Sequence, residues 1–267
     1  MLSARTIASR PAFEVSAVTC SADHTGWSPP DAHADHRVVL VRSGRFRRRT
    51  PGGITDLDRT TAYLGTPGEE DSFAHPAGGD VCTALRLSPQ LWHDIAGETP
   101  VRPWAYVDAR VDLAHRRLLA ARDDLDYALT ESLLILLAEA IGNAAEGTLP
   151  SGRARDPAAE HLAGAAREAV LADDPAATGL LPLATLLGVS PYRLSRAFTA
   201  ATGTSLTRYR NRVRVGRALD RIEAGDTELG ALAARLGFAD QAHLSRTVRQ
   251  HLGCTPTAVK ELLRPRH

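Results

Sequence analysis

Two sets of residues in this chain have the types and spacing to do chemistry. The first is a tripeptide used twice, Leu-Ser-Arg at 194–196 and again at 244–246, with closing glycines at Gly203 and Gly253. A guanidinium is a rigid planar fork that pairs with guanine O6 and N7 or with a phosphate, so Arg196 and Arg246 occupy equivalent places for reading a nucleic acid. Tyr192, Arg193 and Ser195 surround the first arginine, and Gln241, His243, Ser245 and Arg249 surround the second. A glutamine amide matches the adenine edge, and serine hydroxyls suit phosphates or base edges. The second set is Cys20, His24, His33, His36, His75 and Cys82, all within the first 110 residues. Thiolate and imidazole are the ligands of zinc and softer transition metals, which recruit them from separate strands. No C-x-x-C or H-E-x-x-H spacing accompanies them, so exposed histidines and packed thiols are the plainer reading of the same residues.

The elements that must position the first set form a repeat. Residues 187–203 line up with 236–253, and each copy has the same grammar. A short apolar helix (Leu183 to Leu187; Leu229 to Leu236) stops at a glycine, a few residues turn, and a Ser-Pro or Ala-Asp start opens a second helix. Two short helices around such a turn are the helix-turn-helix plan, whose second helix enters a DNA major groove. Leu194, Ala197 and Phe198 form the buried side of one recognition helix, and Leu244, Val248 and Leu252 that of the other. Between the copies, Leu206, Tyr209, Val213, Gly216, Leu219 and Ile222 recur at helical spacing up to Gly225. About 20 residues at 1.5 Å each span roughly 30 Å, close to the ~34 Å of one DNA turn. Of Arg208, Arg210, Arg212 and Arg214 on this helix, only part can face DNA. A helix opening at Asp156-Pro157 and another over about Thr257 to Leu263 complete an all-α domain.

These residues resemble the paired helix-turn-helix domain of AraC/XylS-type transcription regulators. The resemblance rests on the segment from Leu232 to Pro256, on Gly188 to Phe198 before it, and on the Gly-Cys-Thr-Pro exit at 253–256. It covers about residues 157–264. Val248 and Leu244 stand where the family commonly has aromatic residues, and both remain apolar. The resemblance implies a transcription regulator that is no enzyme. Its partners would be a double-stranded DNA operator and RNA polymerase, with a small-molecule or metal effector and a second copy of the chain as a homodimer.

The N-terminal half reads differently. Phe13–Val18 and Asp80–Leu87 alternate, Val38–Val41 is a compact apolar run, and Gly/Pro turns separate them, as in a small β-barrel or sandwich. Helices are expected over Asp112–Arg122 and Leu125–Ile141. The second carries more leucine than a one-faced helix needs, which fits either core packing or a dimer contact. This order resembles the cupin-like sensor domain often attached to AraC-type DNA-binding domains. A metal cupin usually has two histidines one residue apart and then a glutamate. His33 and His36 are spaced differently and no matching glutamate precedes Gly44. That weighs against the alternative, a metal-dependent cupin enzyme fused to a DNA-targeting domain. An organic effector would sit near Trp27, Tyr63 or Phe73.

The expected fold is therefore α+β in two domains: a cupin-like β-barrel with helices and an all-α domain with two helix-turn-helix subdomains joined by a long helix. The boundaries are 1–141 for sensing and dimerisation, 142–156 for a Gly- and Pro-rich linker, and 157–267 for DNA binding. The net charge of +1 hides an asymmetry. Residues 157–267 hold 15 Lys+Arg and 10 Asp+Glu, a balance of +5, whereas residues 1–156 hold 17 and 21, a balance of −4. Every basic residue except Lys260 is an arginine. No segment reaches about 18 uninterrupted apolar residues, since Asp126, Glu131 and Glu139 break the richest stretch, so no membrane span is expected. Cys20, Cys82 and Cys254 cannot build a disulfide framework, and the N-terminus lacks a signal-peptide pattern, which together suit a reducing cytoplasm.

Overall fold

The computed structural model describes residues 2–21, 25–121, 124–146, 156–226 and 228–263. Met1–Glu146 forms one compact unit and Gly147–Glu261 a second. In the first unit, β1 (Leu2–Arg10), β2 (Phe13–Cys20), β4 (His36–Ser43), β7 (Thr61–Gly65), β9 (Asp80–Leu87) and β10 (Trp104–Tyr106) build a six-stranded sheet in the order β1-β2-β9-β4-β7-β10. A four-stranded sheet, ordered β3-β8-β5-β6, holds β3 (Asp31–Ala32), β5 (Phe46–Thr50), β6 (Gly53–Leu57) and β8 (Glu70–Ala74). Every pairing is antiparallel.

The period-two geometry of a strand explains how the larger sheet serves two cores. Val38 and Leu40 of β4, Ala62 and Leu64 of β7, and Leu85 and Leu87 of β9 join one buried cluster with the helices. Their alternates Val39, Val41, Tyr63 and Cys82 join a second cluster with Phe46 and Leu57 from the smaller sheet. A strand covered on both faces has no polar side, which is why Val38–Val41 is an unbroken apolar run rather than an alternating one.

Three helices cover the outer face: α1 (Pro89–Ala96), α2 (Ala109–Ala120) and α3 (Ala128–Glu146). Leu129, Leu133, Leu136, Leu137, Ala140 and Ile141 of α3 are all buried in the helix-side cluster. Core packing thus accounts for most of its leucine excess, leaving Leu134 and Ile135 exposed. The helix is long and apolar enough to cross a membrane by length and composition, yet its apolar face lies against the sheet. It also runs five residues into the expected 142–156 linker. Ala144 packs in the same cluster, Arg102 Nε donates to Ala144 O at 2.9 Å, and Asn143 Nδ2 donates to Tyr106 O at 2.9 Å, so tertiary contacts hold a segment whose composition reads as loop. Residues 147–155 of that linker lie outside the described residues.

Among the described residues of the second unit, the regular elements are all helical: α4 (Pro157–Leu171), a 3-10 turn (Pro175–Thr178), α5 (Leu180–Leu186), α6 (Pro191–Thr202), α7 (Leu206–Glu223), α8 (Leu229–Arg235), α9 (Gln241–Leu252) and α10 (Pro256–Leu262). Side chains cap the main starts: Asp156 accepts from Ala158 N, Ser190 from Arg193 N, Ser205 from Arg208 N and Asp240 from His243 N. All six periodic residues of the joining helix, from Leu206 to Ile222, are buried, and α7 packs against α4, α6 and α9. The α+β, two-domain expectation holds.

Candidate nucleic-acid interface

The two helix-turn-helix units close by the same hydrogen bonds. Gly188 N donates to Thr185 O and Val189 N to Ala184 O; in the second copy Gly237 N donates to Ala234 O and Phe238 N to Ala233 O. Gly188 (φ 66°) and Gly237 (φ 69°) adopt the left-handed conformation that lets the chain leave the first helix in this way. Gly203 and Gly253 end α6 and α9 likewise, at φ 71° and 76°.

The buried side of α6 is Leu194, Ala197 and Phe198, and that of α9 is Leu244, Thr247, Val248 and Leu252. The opposite sides carry the residues singled out by the repeat. Tyr192, Arg193 and Arg196 are exposed and Ser195 half-buried; Gln241, Arg246 and Arg249 are exposed and Ser245 half-buried. Arg196 Nη1 donates to Tyr192 Oη at 2.9 Å, so these two act as a pair. His243 has a local role: its Nδ1 accepts from Ala239 N at 3.3 Å, and its ring meets Phe238 edge-on at 5.3 Å. One edge of that imidazole is used to close the turn, leaving only the other for a ligand.

The arginines of α7 divide sharply. Arg208 is exposed and Arg210 half-buried, whereas Arg212 and Arg214 are buried. Arg214 Nε donates to Leu236 O at 2.8 Å, and its guanidinium lies 3.7 Å from the Phe238 ring centre. Burial, reinforced by Arg210 and Arg217, lowers its pKa to about 10. This arginine ties the second turn to the joining helix. Arg217 does the same for α4, pairing with Asp173 and donating to the carbonyls of Val170 and Leu171 at 3.2 Å. Spacing alone could not separate these structural arginines from exposed ones, because all lie on one polar helix.

The cysteine and histidine set of the first unit does not converge as a whole. His33 Nε2 sits 3.3 Å from Asp71 Oδ2, and the other oxygen of Asp71 accepts from buried Arg48 at 2.8 Å. Arg48 also donates to Glu69 at 2.6 Å and covers the Tyr63 ring at 4.5 Å. His36 stacks flat on Trp92 with ring centres 4.4 Å apart, and burial lowers its pKa. His24 lies outside the described residues. What the fold does bring together is Cys20, His75 and a residue the composition did not flag, Asp80. Cys82 joins them by donating its thiol to Asp80 Oδ1 at 3.0 Å. Asp80 was detectable only through strand pairing, since it lies directly opposite Cys20. The aromatic residues expected beside an organic effector are engaged internally: Tyr63 and Phe73 contact each other at 5.9 Å, and Arg49 lies over Trp27 at 4.6 Å.

Comparison with known proteins places the C-terminal geometry in context. A helix-turn-helix domain model matches residues 183–261. The HTH-type transcriptional regulator RipA of Corynebacterium diphtheriae is 35% identical over 81 residues, 30% of this chain and 24% of that protein. RipA of Corynebacterium glutamicum is 37% identical over 89 residues, 33% of this chain and 27% of that protein. The chain thus spans about a quarter of the length of these curated relatives. Among solved structures, ToxT from Vibrio cholerae covers 95% of this chain and 99% of its own, at 10% identity and a TM-score of 0.40. A cupin domain from Bordetella pertussis covers 33% of this chain and 93% of its own, at 18% identity and a TM-score of 0.28. Residues 183–261, which contain α6 and α9, match a helix-turn-helix domain and remain similar to the paired domain of AraC/XylS-type regulators.

Proposed function

We propose that this chain is a sequence-specific DNA-binding regulator of transcription whose N-terminal unit modulates it through an effector. The observation that carries the reading is the duplicated recognition helix, with Arg196 and Arg246 exposed at equivalent positions of two similarly closed turns. The joining helix has 18 residues, about 27 Å, so the two recognition helices would enter successive major grooves and read adjacent half-sites. Tyr192, Arg193, Ser195, Gln241, Ser245 and Arg249 would supply the remaining contacts, with His243 contributing through its free edge. The resemblance to AraC/XylS-type regulators supports RNA polymerase and a second copy of the chain as further partners, a cytoplasmic setting and no catalytic role. The domain scheme is a sensing unit through Glu146, a connection over 147–156 and a DNA-binding unit from Pro157.

Selection from a random duplex library, followed by anisotropy titration at several salt concentrations, tests the reading. A defined bipartite motif should emerge, with affinity falling steeply as salt rises. Arg246→Ala should cost about 1–3 kcal/mol at its base pair and relax preference there, whereas a phosphate-contacting arginine would weaken all sequences alike. Failure of any motif to enrich, or salt-independent binding, refutes it.

A further inference from the structure

We propose that Cys20, His75 and Asp80 form a binding site for zinc, or a divalent ion of similar borderline softness, between β2, β9 and the loop that follows β8. The site stands independently of the DNA-binding reading. Its three ligand atoms lie within 4.8 Å of one another and all three residues are buried. Metal bonds of about 2.0–2.3 Å place neighbouring ligand atoms roughly 3.3–3.8 Å apart, so a contraction of about an ångström completes the geometry.

Backbone structure brings the three together. The β2–β9 ladder sets Cys20 opposite Asp80. The connecting loop turns at Gly78, whose N donates to His75 O at 3.3 Å, and passes at Gly79 so close to β2 that a Cβ there would lie 2.3 Å from Cys20 O. The His75 ring is held against Phe46, with centres 5.6 Å apart.

Asp80 gives the second, independent indication. Its Oδ1 accepts from the Cys82 thiol, whereas its buried Oδ2 accepts no well-aligned hydrogen bond among the described residues; its neighbour is His75 Nε2 at 3.0 Å, an ion pair only when the imidazole is protonated. Leaving a buried carboxylate oxygen unsatisfied is costly, and a cation is the partner that would satisfy it together with the imidazole lone pair and a thiolate. The Cys82 thiol is committed to the other oxygen of Asp80, donating at 3.0 Å, and so orients the carboxylate. Binding is balanced by one proton: Zn2+ displaces H+ from the Cys20 thiol, neutral His75 offers Nε2, and Asp80 offers Oδ2. The thiolate and the carboxylate neutralise the ion. The fourth position remains for water.

The test uses the full-length protein, stripped with a chelator and titrated with zinc against a chromophoric competitor, and in parallel with cobalt(II). The expected results are one equivalent of zinc, about one proton released near pH 7, and a thiolate-to-cobalt charge-transfer band. Cys20→Ser should abolish the band and, like Asp80→Asn, weaken zinc by at least tenfold, while Cys254→Ser should change neither. No stoichiometric zinc, a cobalt complex of the unmodified protein without the thiolate band, or loss of binding in Cys254→Ser overturns the site. Because the band is read on the unmodified protein, a variant that fails to fold does not shelter the proposal.

Discussion

Arg214→Met isolates the contact that holds the second recognition unit to the joining helix. Methionine keeps most of the stem volume but removes the charge-assisted hydrogen bond to Leu236 O and the guanidinium over Phe238. Those two interactions contribute about 1.5–3 and about 1–2 kcal/mol respectively. Against them stands the cost of burying a cation, visible in the lowered pKa and in an Nη2 with no hydrogen-bond partner among the described residues. Replacing a buried charge by an apolar chain often relieves that cost. Here the loss outweighs the relief, because the Leu236 carbonyl is left without its side-chain donor while the methionine gains no new partner. A net loss of about 2 kcal/mol corresponds to roughly 10 °C for a domain of this size. The assay exploits the placement of Trp27, Trp92 and Trp104, all in the first unit. Far-ultraviolet circular dichroism follows the helical second unit, and tryptophan fluorescence follows the first. The helical transition should fall by about 10 °C while the fluorescence transition stays in place, and affinity for the selected duplex should drop up to about tenfold. A helical transition within about 2 °C of the unmodified protein, or an equal shift of both signals, refutes the locking argument.

Two further perturbations follow from local geometry. His115 of α2 is buried, its Nε2 is 2.7 Å from Thr83 Oγ1, and burial, with Arg42 adding to it, lowers its pKa to about 3. The unfolded chain takes up this proton near pH 6.5 and the folded one only near 3. Stability is therefore complete above about pH 6.5 and falls by up to about 1.4 kcal/mol per unit as pH drops towards 3; urea midpoints read by tryptophan fluorescence should show that slope, and His115→Gln should flatten it. Asp240→Ala removes the cap from His243 N, a bond of 2.6 Å, and should cost about 1 kcal/mol in the helical transition, with Asp240→Asn recovering most of it.

The second unit was legible because its signals are local. Glycines at 188, 203, 237 and 253, capping residues Ser190 and Asp240, and apolar residues at helical spacing each act within one or two turns, so the repeat displays its own architecture. The strands β2, β4 and β9 were visible for the same reason, and α3 within a few residues of its bounds. β1, β3, β5–β8, β10 and α1 were not, since pairing partners rather than a local apolar pattern decide them.

What the amino-acid order determined by itself was the paired recognition helices and the residues exposed on them, because helical period and cap chemistry do not depend on distant chain. What only the tertiary structure decided was which of several chemically identical groups share a site. Arg208 and Arg214 look alike in sequence, yet one is exposed and the other closes a turn. His33 and His75 look alike too, yet Asp71, itself held by Arg48, meets the first, while the β2–β9 register brings Cys20 and Asp80 together near the second. Long-range pairing sets those neighbours, and burial makes any unmet charge among them costly.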